Sequence, residues 1–261
     1  MTDLFEAGGL ADDAPRPLAD RLRPKTLADV VGQDHLIGPE GPIGRMIAAN
    51  RPHSIILWGP PGTGKTTIAR LLSTAFHLHF EQLSAVFSGV ADLKKTFEAA
   101  RQRRRVGQGT LLFIDEIHRF NRSQQDSFLP VMEDGTIVLV GATTENPSFE
   151  LNGALLSRAQ VLVLRRLDDA ALGLLVERAE THYGEKLPLT DDARTSLRAM
   201  ADGDGRYLLN LVEEVAAVKT AKPLDTAGLV TIVQKRAPLY DKSREEHYNI
   251  ISALHKSIRG S

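Results

Sequence analysis

A glycine-rich segment followed by a lysine and two hydroxyl side chains is the part of this sequence best suited to chemistry. From residue 59 to residue 66 it reads G-P-P-G-T-G-K-T, which matches the pattern G-x-x-x-x-G-K-[ST]. Glycines allow backbone N–H groups to turn toward phosphate oxygens, and a helix that begins there adds the positive end of its dipole. The segment therefore predicts a site for the phosphates of ATP or ADP. Its candidate binding residues are Gly59, Pro60, Pro61, Gly62, Thr63, Gly64, Lys65, Thr66 and the following Thr67.

Two neighbouring carboxylates supply the second chemical feature. Asp115 and Glu116 directly follow an apolar run, so a strand would deliver both at its carboxyl end. We expect Asp115, together with Thr66, to hold Mg²⁺, and Glu116 to orient and polarise the attacking water. Lys65 would reach the β- and γ-phosphates. Such a pair of acids is a weak signal alone, but it becomes a strong one when it lies one strand–helix unit after a phosphate loop.

The segment from Asp115 to His118 also matches the D-E-x-H box of superfamily-two helicases. Those enzymes need a second α/β domain that also binds the nucleotide. The remainder of this sequence predicts helices only, so we interpret His118 as a structural residue.

The strands that must position these residues are predicted by four apolar runs, none of which alternates polar with apolar positions, and by a weaker fifth candidate at residues 79–83. Runs of this kind are typical of parallel strands covered by helices on both faces, and helical patterns lie between them. The sequence therefore predicts a doubly wound α/β fold with a parallel five-stranded sheet. The runs are residues 54–58, 79–83, 111–114, 137–140 and 161–164.

Apolar residues after Arg166 repeat at helical spacing, which predicts a small all-helical lid over residues 167–236. We expect residues 1–18 to form a flexible tail and residues 19–166 to form the α/β nucleotide-binding core. Pro238 interrupts the pattern, and residues 237–261 resemble the start of a further helical region. Because the sequence stops inside that region, we expect a chain that is truncated at its C-terminal end.

Composition narrows the classes of function. The 261 residues include no cysteine and carry a formal net charge of −1, which excludes disulfides, thiolate metal sites and attraction of the whole molecule to nucleic acid. The apolar runs are too short to span a bilayer, and the first residues lack the features of a secretory signal. We therefore expect a cytoplasmic protein with no membrane partner.

A core with a helical lid, taken with several local motifs, resembles the AAA+ ATPases. Residues 23–33 look like the segment that covers the adenine, which implies contacts from Leu22 and Val31. In that family, Thr144 would sense the γ-phosphate or lytic water, and Ser84 would restrain the catalytic glutamate. Arg158 resembles an arginine finger that acts on a neighbouring subunit, and Arg206 resembles the lid arginine that reaches back to the phosphates.

Further segments resemble the replication-associated recombination protein A family, which is related to the Werner helicase-interacting ATPases. The resemblance implies an Mg²⁺-dependent, DNA-stimulated ATPase of stalled or damaged replication forks. It further implies binding to DNA ends, gaps or forks, cooperation with single-strand-binding protein, a nucleoid location, and a tetramer in the full-length protein. The segments are residues 116–121, 124–126, 141–149, 240–242 and 246–257.

Two other functions remain open at this point. One is a motor of the clamp-loader or Holliday-junction branch-migration type, and the other is an ATP-binding scaffold that does not hydrolyse ATP. Two surface features are open as well. The basic segment 91–105 would form either a solvated helix face or a contact to DNA phosphates, and Phe87-Ser88-Gly89 would form either an ordinary turn or a pore loop.

Overall fold

A computed structural model describes residues 16–236, with side chains described through residue 233. The expected tail before residue 16, the region 237–261 and the family-like segments within it lie outside the described residues.

The centre of the molecule is a sheet of five strands in the order β2-β3-β4-β1-β5, in which every pair of neighbours is parallel. This arrangement confirms the predicted parallel α/β class. All five predicted runs form strands, with ends that differ from the prediction by no more than a few residues. The strands are β1 Ile55–Trp58, β2 His79–Ser84, β3 Thr110–Asp115, β4 Val138–Thr143 and β5 Gln160–Val163.

Helices cover the sheet and build the lid. They are α1 Leu18–Arg21, α2 Asp34–Ile37, α3 Pro42–Ala48, α4 Lys65–Ala75, α5 Val90–Arg105, α6 Arg122–Asp126, α7 Phe128–Glu133, α8 Pro147–Glu150, α9 Gly153–Leu156, α10 Asp169–Tyr183, α11 Asp191–Ala201, α12 Gly205–Ala216 and α13 Thr226–Arg236, with 3₁₀ turns at Leu27–Asp29 and Ile117–Arg119. Within residues 16–236, no helix is long and apolar enough to cross a membrane.

Strand β3 shows why its apolar run does not alternate. Successive side chains of a strand point to opposite faces of the sheet, so a strand covered on both faces is apolar at every position. Leu111 and Phe113 pack into a cluster with α3 and α4, whereas Leu112 and Ile114 pack into a second cluster with α5 and α7. The central strands are thereby held from both sides.

Strand β5 departs from this expectation. Val161 and Val163 are 37% and 47% exposed, although the sequence predicts a run buried on both faces. The reason is that β5 is an edge strand, which pairs only with β1, and one of its faces is left open to solvent.

Helices α10 to α13 lie in the region that the sequence assigns to the lid. All four helices begin at residues whose side chains accept a hydrogen bond from the first turn, which is the usual way to satisfy free N–H groups there. Asp168 caps α10, Thr190 caps α11, Asp204 caps α12 and Asp225 caps α13. The lid encloses its own hydrophobic cluster, which is separate from the two clusters that flank the sheet.

The lid also includes a helix from the other end of the chain. Leu18, expected at the end of a flexible tail, is instead fully buried in the lid cluster. Its backbone N–H donates to Glu213 of α12 at 3.1 Å, and Arg21 forms an ion pair with the same carboxylate at 2.9 Å. Helix α1 therefore packs on the lid, although the sequence assigns residues 19–166 to the core.

Replacing Leu18 with alanine tests this contact. We expect Leu18→Ala to lower the free energy of unfolding by about 2–5 kcal/mol, the usual effect of emptying a fully buried leucine site. The matched control is Leu174→Ala on α10, which removes a leucine that is 48% exposed and should cost no more than about 0.5 kcal/mol. Urea denaturation of both variants measures the difference, and equal effects would show that α1 does not contribute to lid stability.

Candidate nucleotide site

The phosphate loop joins β1 to α4, the context that its pattern requires. Two of its glycines have positive φ angles, +68° at Gly62 and +98° at Gly64, which other residues adopt only with strain. Gly64 is the residue at which α4 begins, so the N-terminus of an eleven-residue helix faces the loop. Backbone N–H groups and the helix dipole are thereby arranged to bind an anion.

Lys65 is the first residue of α4, and it is only 9% exposed. Its ammonium group donates to the carbonyl oxygens of Gly59 and Pro60, both at 2.7 Å. Burial lowers the pKa of Lys65, and the charges of Glu116 and Asp115 oppose that shift. The positive charge of Arg206 lowers the pKa further, which shows that this lid residue lies within electrostatic range of the loop.

Asp115 and Glu116 lie at the carboxyl end of β3, as the sequence predicts. Glu116 has φ 53° and ψ 45°, a left-handed conformation that is costly for a residue with a side chain. Strain of this kind is common at functional sites, because it aims a side chain that a regular strand would direct elsewhere.

The oxygen donors of this region suit Mg²⁺. Mg²⁺ favours carboxylate and hydroxyl oxygens and is commonly held by one or two carboxylates together with the phosphates of the substrate. Asp115 and Thr66 offer such a donor set beside the phosphate loop. Within residues 16–236, no group of three or more His, Asp or Glu side chains is arranged to hold a metal, so a site made by protein ligands alone is not indicated there.

The lid touches the phosphate loop directly. The N–H of Gly205, in the first turn of α12, donates to the carbonyl oxygen of Gly62 at 3.2 Å. A side chain at Gly62 would overlap the carboxylate of Asp204, the residue that caps α12. The exposed Arg206 follows in the same turn, so the predicted lid arginine lies at the loop that it is expected to reach.

The segment predicted to cover the adenine runs along the lid. Leu22 and Val31 are half-buried against the lid cluster. Sequence reasoning missed the neighbouring Gln33, which is fully buried and joins this segment to the link between core and lid. Its side-chain amide donates to the Arg165 carbonyl at 2.8 Å and accepts from the Arg165 N–H at 3.1 Å.

Thr144 follows β4 and is exposed at the same edge of the sheet, where a contact to phosphate or water is possible. The adjacent Thr143 is fully buried, and its hydroxyl lies 2.8 Å from Nδ1 of His118. The same nitrogen is 3.3 Å from the Glu116 carboxylate. His118 therefore touches a predicted catalytic residue, which the interpretation of this histidine as structural did not anticipate.

Ser84, the residue expected to restrain Glu116, pairs with Asp115 in the register of β2 and β3. Its place next to the two acids agrees with the expectation.

Arg158 lies apart from these residues. It precedes β5, and the N–H of Gln160 bonds to Ser54, the residue before β1. Because the strands are parallel, Arg158 is at the amino edge of the sheet, roughly 13 Å of strand away from the phosphate loop at the carboxyl edge. Its guanidinium forms an ion pair with Glu133 at 2.5 Å. This placement does not favour a role at the phosphates of its own chain.

Comparison with known proteins defines the class. Residues 55–167 match the family model "ATPase family associated with various cellular activities (AAA)", and residues 183–259 match the model "AAA C-terminal domain". Together the two matches cover most of the chain, including the phosphate loop, Asp115, Glu116 and the greater part of the lid. The fold and the site are those of an AAA ATPase.

Similarity to curated proteins identifies the family within this class. The chain is 44% identical to replication-associated recombination protein A of Escherichia coli strain K12, over 96% of this chain and 58% of that protein. It is 39% identical to ATPase WRNIP1 of Dictyostelium discoideum, over 94% of this chain and 31% of that protein. The chain belongs to the replication-associated recombination protein A family, and it spans little more than half the length of the bacterial relative.

Solved structures agree with the fold. The Thermotoga maritima RuvB Holliday junction branch migration motor matches with a TM-score of 0.67 and 24% identity, over 82% of this chain and 72% of that one. A point mutant of the same protein matches with a TM-score of 0.68 and 23% identity, over 92% and 82% of the two chains. At this level of identity the likeness supports a shared architecture and no shared substrate.

Lys65→Met tests the nucleotide site. The change removes the ammonium group while retaining an unbranched side chain, so we expect affinity for a fluorescent ATP analogue to fall by roughly tenfold or more. Lys186→Met, at an exposed position between α10 and α11, is the control and should bind as the parent does. Equal affinity in the two variants would contradict the assignment of Lys65.

Proposed function

We propose that this chain is the motor part of an Mg²⁺-dependent, DNA-stimulated ATPase that acts at stalled or damaged replication forks. The observation that carries the proposal is the convergence of the phosphate loop, the two acids after β3 and the lid arginine on one site. The similarity to replication-associated recombination protein A and to ATPase WRNIP1 supports the biological setting.

Each residue of the site has a separate role in ATP hydrolysis. The loop N–H groups, Lys65 and Arg206 bind and orient the triphosphate, while Leu22 and Val31 provide an apolar wall for the base. Glu116 orients the attacking water toward the γ-phosphate and accepts a proton from that water. Thr144 binds the same water or the γ-phosphate. Thr66 and Asp115 would hold Mg²⁺, which supplies positive charge to the phosphate oxygens when it is bound.

The effect of hydrolysis would be passed to a partner through the lid. The hydrogen bond between Gly205 and Gly62 joins α12 to the phosphate loop, so a change in the loop also changes the support of the lid. Such rearrangements between a core and a lid are a common way for nucleotide enzymes to move a bound partner.

DNA ends, gaps or forks are the proposed substrates, with single-strand-binding protein as a partner at the nucleoid in the cytoplasm and a tetramer as the full-length assembly. The basic end of α5 is a weak candidate for the DNA contact. Arg103 pairs with Glu81 at 2.7 Å, Arg104 with Asp134 at 3.5 Å and Arg101 with Glu98 at 3.7 Å, so acids of the same chain already balance much of this charge. These pairs favour a solvated helix face.

The proposed function is tested by the rate of phosphate release from the full-length protein with duplex ends, gapped DNA, forks and no DNA. We expect DNA to raise the rate and Glu116→Gln to abolish turnover in every condition while ATP binding remains, because the amide cannot accept the proton of water. Binding of ATP without hydrolysis by the parent protein would favour a scaffold, and unchanged turnover in Glu116→Gln would refute the catalytic assignment.

Arg158 is proposed to act on ATP bound to a neighbouring subunit. Arg158→Ala should lower the rate by a factor of about 10³ or more, as expected for loss of an arginine finger. Mixing this variant with Glu116→Gln provides the sharper test, because a Glu116→Gln subunit can lend its intact arginine to a site with an intact glutamate.

The expected result of the mixture is phosphate release well above the sum of the two variants measured separately, at protein concentrations where the full-length chains associate. Activity no greater than that sum would argue against a role in trans. Ala154→Gly, which alters the same segment without removing a guanidinium, serves as the control for local packing.

A further inference from the structure

We propose that His118 is a positioning residue, which holds the carboxylate of Glu116 in the orientation that hydrolysis requires. The inference rests on the proposed role of Glu116 in priming water. It gives a task to a histidine that sequence reasoning treats as structural and that the mechanism above does not use.

The position of the ring supports this task. The His118 side chain is 6% exposed, whereas that of Glu116 is 32% exposed. The ring lies in the 3₁₀ turn that directly follows Glu116, and the preceding residue, Ile117, is fully buried in the core cluster of α5 and α7. A ring enclosed in this way is a firm support for a carboxylate that is itself partly open to solvent.

One nitrogen of the ring faces two oxygens. Nδ1 of His118 is 2.8 Å from the Thr143 hydroxyl and 3.3 Å from Oε2 of Glu116. The Thr143 oxygen is itself placed by the backbone N–H of Glu145, which donates to it at 3.0 Å. Its hydroxyl is also 3.3 Å from the Glu145 carbonyl, to which it can donate its own hydrogen.

These contacts assign a hydrogen to Nδ1. With the Thr143 hydroxyl directed toward Glu145, its oxygen is free to accept from the ring, and an Nδ1–H group faces both that oxygen and the carboxylate. An unprotonated Nδ1 would instead direct its lone pair toward the negative charge of Glu116. The arrangement therefore forms a series of side-chain contacts that runs from Thr143 of β4, through His118, to Glu116.

This series of contacts matters because the backbone alone does not determine the orientation of the Glu116 carboxylate. The left-handed conformation at this residue aims the side chain away from the regular direction of β3, but it does not fix the rotation of the carboxylate. Small errors in the direction of a reacting group are costly to a rate, even where binding is unaffected. Loss of the His118 contact should thus lower kcat and leave nucleotide affinity nearly unchanged.

Three substitutions of His118 separate positioning from packing. Asn places an amide N–H close to the position of Nδ1, Gln extends its amide to the distance of Nε2, and Leu retains volume without a donor. We expect kcat to fall by roughly tenfold or more in His118→Leu and His118→Gln, and to be restored to within about threefold of the parent in His118→Asn. The Kd of the ATP analogue should remain within about twofold in all three variants, since His118 makes none of the assigned phosphate contacts.

Parental kcat in His118→Leu would overturn the inference, as would equal losses in the Asn and Gln variants. Thermal melting checks that each variant is folded. If the Leu variant does not fold, Thr143→Val decides the matter, because it removes the hydroxyl that Nδ1 of the ring contacts. A lower kcat with retained ATP binding in Thr143→Val supports the chain of contacts, and an unchanged kcat overturns it.

Glu116→Gln, measured in the same assay, separates this inference from the proposed function. If Glu116→Gln abolishes turnover while His118→Leu does not reduce it, only the role of His118 is wrong. If Glu116→Gln leaves turnover intact, the proposed catalytic residue is wrong, and the inference about its support fails with it.

Discussion

The structure depends on keeping one positive charge inside a loop of backbone carbonyls. The ammonium group of Lys65 is buried, and burial alone favours its neutral form. Two carbonyl oxygens of the loop and the negative charges of Asp115 and Glu116 offset that cost. Under the proposed function, the same set of groups would provide a donor for phosphate, an acceptor for a proton and oxygen ligands for a metal. The stability of the charged lysine and the chemistry of the site therefore have a common origin.

The parallel sheet separates two kinds of contact. At its carboxyl edge, the ends of β1, β3 and β4 bring the phosphate loop, the two acids and Thr144 together. At its amino edge, Arg158 pairs with Glu133 and faces away from that site. Under the proposed function, the carboxyl edge would bind the nucleotide of the same chain, and Arg158 at the amino edge would act on the nucleotide of a neighbouring subunit.

Local patterns predicted most of the fold. The phosphate loop, the five apolar runs and the helical spacing after Arg166 each depend on residues that are close in sequence, and each corresponds to an element of the structure. Contacts between distant residues were not predictable in the same way. Gln33 bonds to a residue 132 positions away, and His118 reaches Thr143 across 25 positions. Nothing in the local sequence shows which partner a buried amide or imidazole will meet.

The packing of α1 also extends the lid beyond helices α10 to α13. Leu18 completes a hydrophobic cluster whose other members come mainly from residues 167–229, so this structural unit is assembled from two separate stretches of the chain. A recombinant lid that began at residue 167 would leave an apolar face uncovered and would be prone to self-association. Boundaries for expressing or transplanting the lid should therefore carry residues 16–23 along with it, joined by a linker across the missing core.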